Sequence, residues 1–173
     1  MHIEPLEPDH WPAVRTIYLE GIATGNATFE QDAPDWERWS AAHHSHSRLI
    51  AVDAEGLVGW AALSPVSARY VYRGVAEVTI YIAERARGRG LGRTLMNALI
   101  ESSEAAGVWT LQSAIFRENQ ASIRLHLKAG FRIVGERERI GWLAGEWRTT
   151  VLLERRSAVA GIDDNWMNSS SIR

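Results

Sequence analysis

The chain of 173 residues contains no cysteine. That excludes disulfides, thiolate metal sites and a covalent cysteine–acyl intermediate, and it fits a reducing, cytoplasmic setting. No apolar run approaches the ~18 residues a membrane span requires. The opening residues Met1-His2-Ile3-Glu4-Pro5 also lack the basic-then-apolar order of a secretory leader, so no membrane partner is expected. With 19 Lys and Arg against 21 Asp and Glu, the net charge is only -2. No basic field is therefore offered to nucleic acid. The run His43-His44-Ser45-His46 has no carboxylate or thiolate at a ligand spacing; it reads as a solvated helix end, and no metal is expected.

Tryptophan, by contrast, is plentiful at 8 residues, enough for core, pocket walls and a subunit contact together. The apolar spacing predicts a strand over 3–6 and a helix over about 10–23 capped by Asp9, with Trp11, Val14, Ile17, Tyr18 and Ile22 on one face. Asp35 opens a second helix, over roughly 36–46. Asp53-Ala54-Glu55-Gly56 turns a hairpin between 49–52 and 57–63. A loop over 64–74 precedes a strand over 75–82. Helices over 90–106 and 119–129 close on Gly107 and Gly130. Strands are expected over 109–115, 131–138 and 147–154. The order β-α-α-β-β-β-α-β-α-β-β predicts one mixed sheet with helices on its faces, an α/β (α+β) domain over 1–157. Residues 158–173 are polar and aperiodic and read as a loose tail.

The sharpest local signal is Arg87-Gly88-Arg89-Gly90-Leu91-Gly92, between a strand and a helix. Glycines let a backbone approach a ligand closely, and the free N–H groups and dipole of a helix start bind anions. Arg85, Arg87, Arg89 and Arg93 add positive charge. No Gly-Lys-Ser/Thr follows, so this is not a P-loop, and the spacing misses the dinucleotide fingerprint.

These residues resemble the Gln/Arg-x-x-Gly-x-Gly/Ala motif of the GNAT acetyltransferases. Asn119-Gln120-Ala121-Ser122 and Leu125-His126-Leu127-Lys128-Ala129-Gly130-Phe131 are similar to that family's second motif. Ala76-Glu77-Val78-Thr79-Ile80-Tyr81-Ile82, His126 and Gly145-Glu146-Trp147-Arg148 resemble the branch of phosphinothricin and methionine sulfoximine N-acetyltransferases. The resemblance spans about residues 3–155 and implies a mostly antiparallel sheet, a homodimer and acetyl-CoA as co-substrate. It implies that the backbone of 87–93 (Arg87, Gly88, Arg89, Gly90, Leu91, Gly92 and Arg93) holds a pyrophosphate. It further implies that Ile80, Tyr81 and Ile82 pair with the pantetheine arm and that Asn119 faces the cofactor.

Acetyl transfer to an amine needs the neutral amine, yet a peptide α-amine titrates near ~8 and a lysine amine near ~10.4. A base must take the proton. Glu77 is the candidate, since alternation puts Val75, Glu77, Thr79 and Tyr81 on one face of an otherwise apolar strand. His126 stands where many family members carry a tyrosine thought to protonate the leaving thiolate. Imidazole titrates near ~6.5, so it serves as acid or base. Tyr81 is a second candidate acid. The resemblance also puts Phe29 and Thr79 at the acceptor, with Arg69 matching the phosphinothricin enzymes and Arg73 the sulfoximine enzymes. An arginine fork suits a carboxylate or phosphinate. Trp147 closes the pocket or packs. The expected activity is N-acetylation of a small amino-acid-like amine by direct attack; a peptide or polyamine acceptor, or a non-catalytic acetyl-CoA-binding module, remain open alternatives.

Overall fold

Seven strands form one sheet in the computed structural model, which describes residues 1–162. They are β1 (His2–Pro5), β2 (Leu49–Asp53), β3 (Gly56–Pro65), β4 (Val75–Ile82), β5 (Thr110–Phe116), β6 (Arg132–Leu143) and β7 (Glu146–Arg156). The order across the sheet is β1-β2-β3-β4-β5-β7-β6. Every neighbouring pair is antiparallel except β4 with β5. Four helices cover the sheet: α1 (Trp11–Ala23), α2 (Trp36–Ala42), α3 (Leu91–Ala105) and α4 (Gln120–Lys128).

The parallel pair is short. Val75 pairs with Thr110, Ala76 with Leu111 and Glu77 with Gln112, and there the pairing ends. β4 stays bonded to β3 as far as Ile82, and β5 to β7 as far as Phe116. The two strands part, each anchored on its outer side. One edge of Val78–Ile82 is left without a strand, and backbone polar groups in such a place need another partner.

The alternation of β4 sorts two cores. Ala76, Val78, Ile80 and Ile82 face α3 and α4, where Leu95, Met96 and Leu99 are fully buried. Tyr81 turns the other way, into an aromatic cluster under α1 and α2. Its ring stacks on Trp60 at 5.0 Å and meets Tyr18 at 4.9 Å. Trp39 packs edge-on against Trp60 at 5.6 Å, and Trp11 tilts onto Trp39 at 5.0 Å. Gly21 of α1 leaves the space that the Tyr81 ring fills, since a Cβ there would collide with it.

Several boundaries differ from the sequence expectation. Asp9 does not cap α1; a 3-10 turn over Pro8–His10 intervenes, and the His10 ring nitrogen accepts from the Glu7 N–H at 3.0 Å. Asp35 does cap α2, accepting from the Arg38 N–H at 2.9 Å, but the helix stops at Ala42. Arg48 takes its terminal carbonyls, reaching Ser40 at 2.8 Å and His43 at 3.0 Å. His43 stacks on Trp39 at 4.2 Å and His44 on His46 at 4.8 Å, so the three histidines are half-buried and packed and are not a solvated helix end. The last hairpin is longer than expected, because β6 runs to Leu143 through an irregular register that breaks the period-2 pattern. At the domain's end Ser157 donates its N–H to the Trp109 carbonyl at 2.9 Å, and of the tail Val159 and Ala160 donate their N–H groups to the Ser157 hydroxyl while Gly161 lies against the Trp109 ring. Residues 163–173 of the tail lie outside the described residues.

Trp60 has no solvent exposure and touches Tyr18, Trp39 and Tyr81. Trp60→Ala is expected to cost about 3–5 kcal/mol, read as a lower urea midpoint at unchanged slope.

Candidate active site

A cleft of about 1110 Å³ opens where β4 and β5 part. It exceeds the roughly 300–1,000 Å³ of a single drug-sized pocket, which leaves room for two reactants. Helices α3 and α4 both start beside it, at the C-terminal ends of the two diverging strands. Their free N–H groups and positive dipole ends favour an anion there.

The turn into α3 depends on glycine. Gly88 has φ 76° and Gly90, the helix N-cap, has φ 82°, a region that costs side-chain-bearing residues about 1–2 kcal/mol. Leu91 is buried and anchors the turn. A Cβ at Gly92 would stand 3.3 Å from Leu125, so this glycine brings α3 close to α4. The arginines divide. Arg87 and Arg93 line the cleft, and Arg87 Nε donates to the Ile82 carbonyl at 3.2 Å. Arg85 instead pairs with Glu55 at 3.1 Å and Arg89 with Asp53 at 3.8 Å. The acidic turn between β2 and β3 draws them off.

Glu77, the last residue of β4 paired with β5, lines the cleft half-buried, and its carboxylate accepts from Gln112 Nε2 at 3.0 Å. It is tied to a neutral amide and not to an arginine, so its charge is oriented without being neutralised. Thr79 and Tyr81 follow on the same face and also line the cleft. Burial raises the Tyr81 pKa above its ordinary 10.0, assisted by neighbouring Tyr18. That makes the phenol a weaker acid than an exposed tyrosine. Ile80 and Ile82 line the cleft from the opposite face.

His126 sits on that opposite face, 1% exposed and edge-on to Phe131 at 4.9 Å. Its Nδ1 lies 2.8 Å from the Ser122 carbonyl. A carbonyl only accepts, which assigns the proton to Nδ1 and leaves Nε2 with a lone pair. Nε2 is buried without a partner among the described residues. Burial lowers the ring's pKa below 6.5, against the raising effect of the Ser122 bond. The neutral ring is therefore poised to accept a hydrogen bond or proton, not to donate one from Nε2.

Asn119 lines the cleft but has local duties. Its Oδ1 accepts from the Ser122 N–H at 3.1 Å as the cap of α4, and its Nδ2 donates to the Asn26 carbonyl at 3.1 Å. Phe29 lines the cleft edge-on to Phe116 at 4.7 Å. Arg69 and Arg73 do not line it. They are exposed on the loop before β4, Arg69 over the Tyr72 ring at 5.7 Å and Arg73 over Tyr70 at 4.3 Å. Trp147 is 56% exposed against Trp142 at the tip of the last hairpin, away from the cleft lining.

Arg148 was not singled out as a site residue from the sequence. Arg148 is 8% exposed over the Phe116 ring at 4.1 Å. Its guanidinium donates to the Gly25 carbonyl at 2.9 Å, Asn26 Oδ1 at 3.1 Å and Glu118 Oε2 at 3.2 Å. It ties the cleft-lining segment after α1 to the turn before α4. Its sequence signals were its place in the Gly145-Glu146-Trp147-Arg148 resemblance and a charge on the inward phase of β7, and the second cannot be recognised before the strand's facing is known.

Comparison with known proteins adds the following. The profile of the Acetyltransferase (GNAT) family matches residues 10–131. The chain is 32% identical over 142 residues to an L-methionine sulfoximine/L-methionine sulfone acetyltransferase of Pseudomonas aeruginosa, covering 79% of this chain and 83% of that one. It is 32% identical over 160 residues to a phosphinothricin N-acetyltransferase of Alcaligenes faecalis, covering 88% and 81%. The fold is similar to the crystal structure of a phosphinothricin acetyltransferase from Sinorhizobium meliloti in complex with AcCoA. There the TM-score is 0.86 at 26% identity, over 94% of this chain and 91% of that one.

Two measurements test this geometry. Arg148→Met leaves the Gly25 carbonyl and the Asn26 side chain unpaired, so a loss of about 1.5–3 kcal/mol is expected, with faster hydrogen exchange confined to residues 24–30. For His126, the depressed folded pKa means the unfolded chain takes up the proton first as pH falls. The stability it contributes is complete above about pH 6.5 and is lost as pH drops toward the folded value. Between pH 6.5 and 5, the wild type is expected to lose stability more steeply than His126→Gln in paired urea titrations.

Proposed function

The chain belongs to the Acetyltransferase (GNAT) family, and from that premise we propose that it acetylates the primary amine of a small amino-acid-like molecule of the phosphinothricin or methionine sulfoximine/sulfone type. It is an acetyl-CoA-dependent N-acetyltransferase. The observation that carries the reading is the parting of β4 and β5 directly after Glu77, between two helix starts.

The residues present fit acetyl-CoA. The glycine turn at 88–92 and the start of α3, with Arg87 and Arg93, suit its pyrophosphate. The unpaired edge of Val78–Ile82 suits the amides of its pantetheine arm as an added strand. Asn119 shapes that wall through the cap of α4. Acetyl-CoA supplies an activated thioester; the chain's residues supply positioning, a base and charge stabilisation.

Glu77, oriented by Gln112, takes the proton of the acceptor's ammonium, directly or through a water. The neutral amine then attacks the acyl carbon without an enzyme-bound intermediate; the C–N bond forms as the C–S bond breaks, and CoA leaves as a thiolate that takes up the second proton lost by the amine nitrogen. A backbone N–H on the free edge of β4 receives the negative charge that develops on oxygen. His126, with Nε2 free, accepts a hydrogen bond or proton at the far side of the same split. The Tyr81 hydroxyl is kept protonated and serves as a fixed donor. Phe29 and Thr79 line the acceptor's space. Arg69 and Arg73, exposed on the loop before β4 and outside the cleft lining, draw an anionic acceptor toward the cleft as it approaches without holding it there.

The domain of 1–157 is read as a homodimer. Ile133, Val134, Ile140, Trp142 and Trp147 are exposed on the last hairpin, whose strand β6 is a sheet edge 12 residues long. A long apolar edge of this kind is normally covered. Among the described residues no helix is long and apolar enough to cross a membrane, and the absence of cysteine fits a cytoplasmic protein.

CoA release with a panel of acceptors is the test. Saturable turnover of phosphinothricin, methionine sulfoximine or methionine sulfone is expected. Turnover of an N-terminal peptide or a polyamine alone would overturn the acceptor, and acetyl-CoA binding without turnover of any amine would overturn the enzyme reading. Glu77→Gln is expected to lower kcat about 10²–10⁴-fold with the KM for acetyl-CoA unchanged.

A further inference from the structure

Charge in the cleft is sorted by side. Around the start of α3 and along α4 the lining cations are Arg87, Arg93, Arg124 and Lys128. On the Glu77 side the lining carboxylates are Glu30 and Glu77, and among the described residues a single cation accompanies them, Arg137 of β6.

The sheet register puts Arg137 on that side. It pairs with Thr150, which pairs with Phe116. Phe116 lies four residues along β5 from Gln112, the partner of Glu77. Residues paired across strands share a face, as do residues an even number apart along one strand. Arg137 and Glu77 therefore project from the same face of the sheet. Along that face Phe29 stands between the loop after α1 and the hairpin, its ring against the backbone of Gly141, where a Cβ would come within 2.5 Å.

An irregularity in β6 builds this wall. In a regular strand Arg137 and Ile140 would face opposite ways. The register shifts between Arg137 and Gly141, Arg139 takes φ 50°, and both Arg137 and Ile140 line the cleft. Bulges of this sort re-aim side chains beside functional sites. The neighbouring Glu136 is held by Arg117, so it does not engage Arg137, which has no ion pair among the described residues.

We propose that Arg137 is the specificity residue that receives an anionic group of the acceptor, its carboxylate or a side-chain phosphinate. The inference rests on the amino-acid acceptor reading above. Two carboxylates and one guanidinium on one wall match a zwitterionic acceptor, whose ammonium must meet a carboxylate base while its anion needs a cation. A guanidinium fork binds either anion in a bidentate manner. Arg69 and Arg73, outside the cleft of their own chain, leave that place to Arg137.

The test is steady-state CoA release at saturating acetyl-CoA by wild type, Arg137→Gln and Arg137→Lys. The acceptors are phosphinothricin, methionine sulfone and 3-(methylsulfonyl)propylamine, which lacks the carboxylate. Arg137→Gln is expected to raise the KM for phosphinothricin about 10- to 100-fold, with partial recovery in Arg137→Lys and an unchanged KM for acetyl-CoA. An equal rise for methionine sulfone, with none for the propylamine, identifies the carboxylate as the group held. A rise for phosphinothricin alone identifies the phosphinate. Identical acceptor KM values in wild type and Arg137→Gln overturn the proposal. Failure of the wild type itself to turn over any amino-acid acceptor overturns the acceptor reading first, and this inference with it.

Discussion

Three residue pairs, Val75 with Thr110, Ala76 with Leu111 and Glu77 with Gln112, hold the two halves of the sheet together. Each half is otherwise a self-sufficient antiparallel set, β1 to β4 on one side and β5 to β7 on the other. Had the parallel pairing run on, the sheet would be continuous and the cleft would not exist. Because it stops, unpaired backbone is exposed at the centre of the fold. Such groups are costly without a partner, and an extended ligand bearing amides is the partner that satisfies them. The last residue of β4 paired with β5 is Glu77, so the proposed base stands at the fork itself.

Helices, glycines and charges are arranged around that fork. Two helix starts flank it, and Arg87 and Arg93 beside them have no ion pair among the described residues. Arg85 and Arg89, which the same sequence run supplies, are taken by the turn between β2 and β3. On the other side the aromatic cluster of Trp60, Tyr81, Tyr18 and Trp39 gives a stiff floor. Stiffness is useful here, since a reacting amine has to be held within about 3–3.5 Å of its target. Above that floor the segment after α1 is not held by secondary structure. It is pinned by Arg148 and Asn119, whose side chains replace backbone pairing with charge-assisted and amide hydrogen bonds. A buried guanidinium is tolerable only with acceptors fixed about it, so the loop and the arginine stabilise each other.

Much of this was legible in the residues. The element order, the hairpin at 53–56, the two facings of β4 and the glycine turn into α3 follow from local rules of alternation, capping and positive φ. Those rules act over a few residues, so they survive without tertiary information. The boundaries that failed were decided by distant contacts. α2 stops at Ala42 because Arg48 collects its carbonyls and His43 finds the Trp39 ring. β6 continues past Glu138 because β7 lies beside it and a bulge absorbs the irregular pattern.

The sequence by itself determined the family, the phosphate turn and Glu77 as candidate base, since each is written in adjacent or regularly spaced residues. Only the tertiary structure decided which side chains meet. It set His126 across the sheet from Glu77 with its proton on Nδ1, kept Arg69 and Arg73 outside the cleft, and brought from the last hairpin Arg137 to the cleft and Arg148 to the segment that lines it. The physical reason is that a side chain's role depends on strand register and on partners up to 123 residues away. No local periodicity records either.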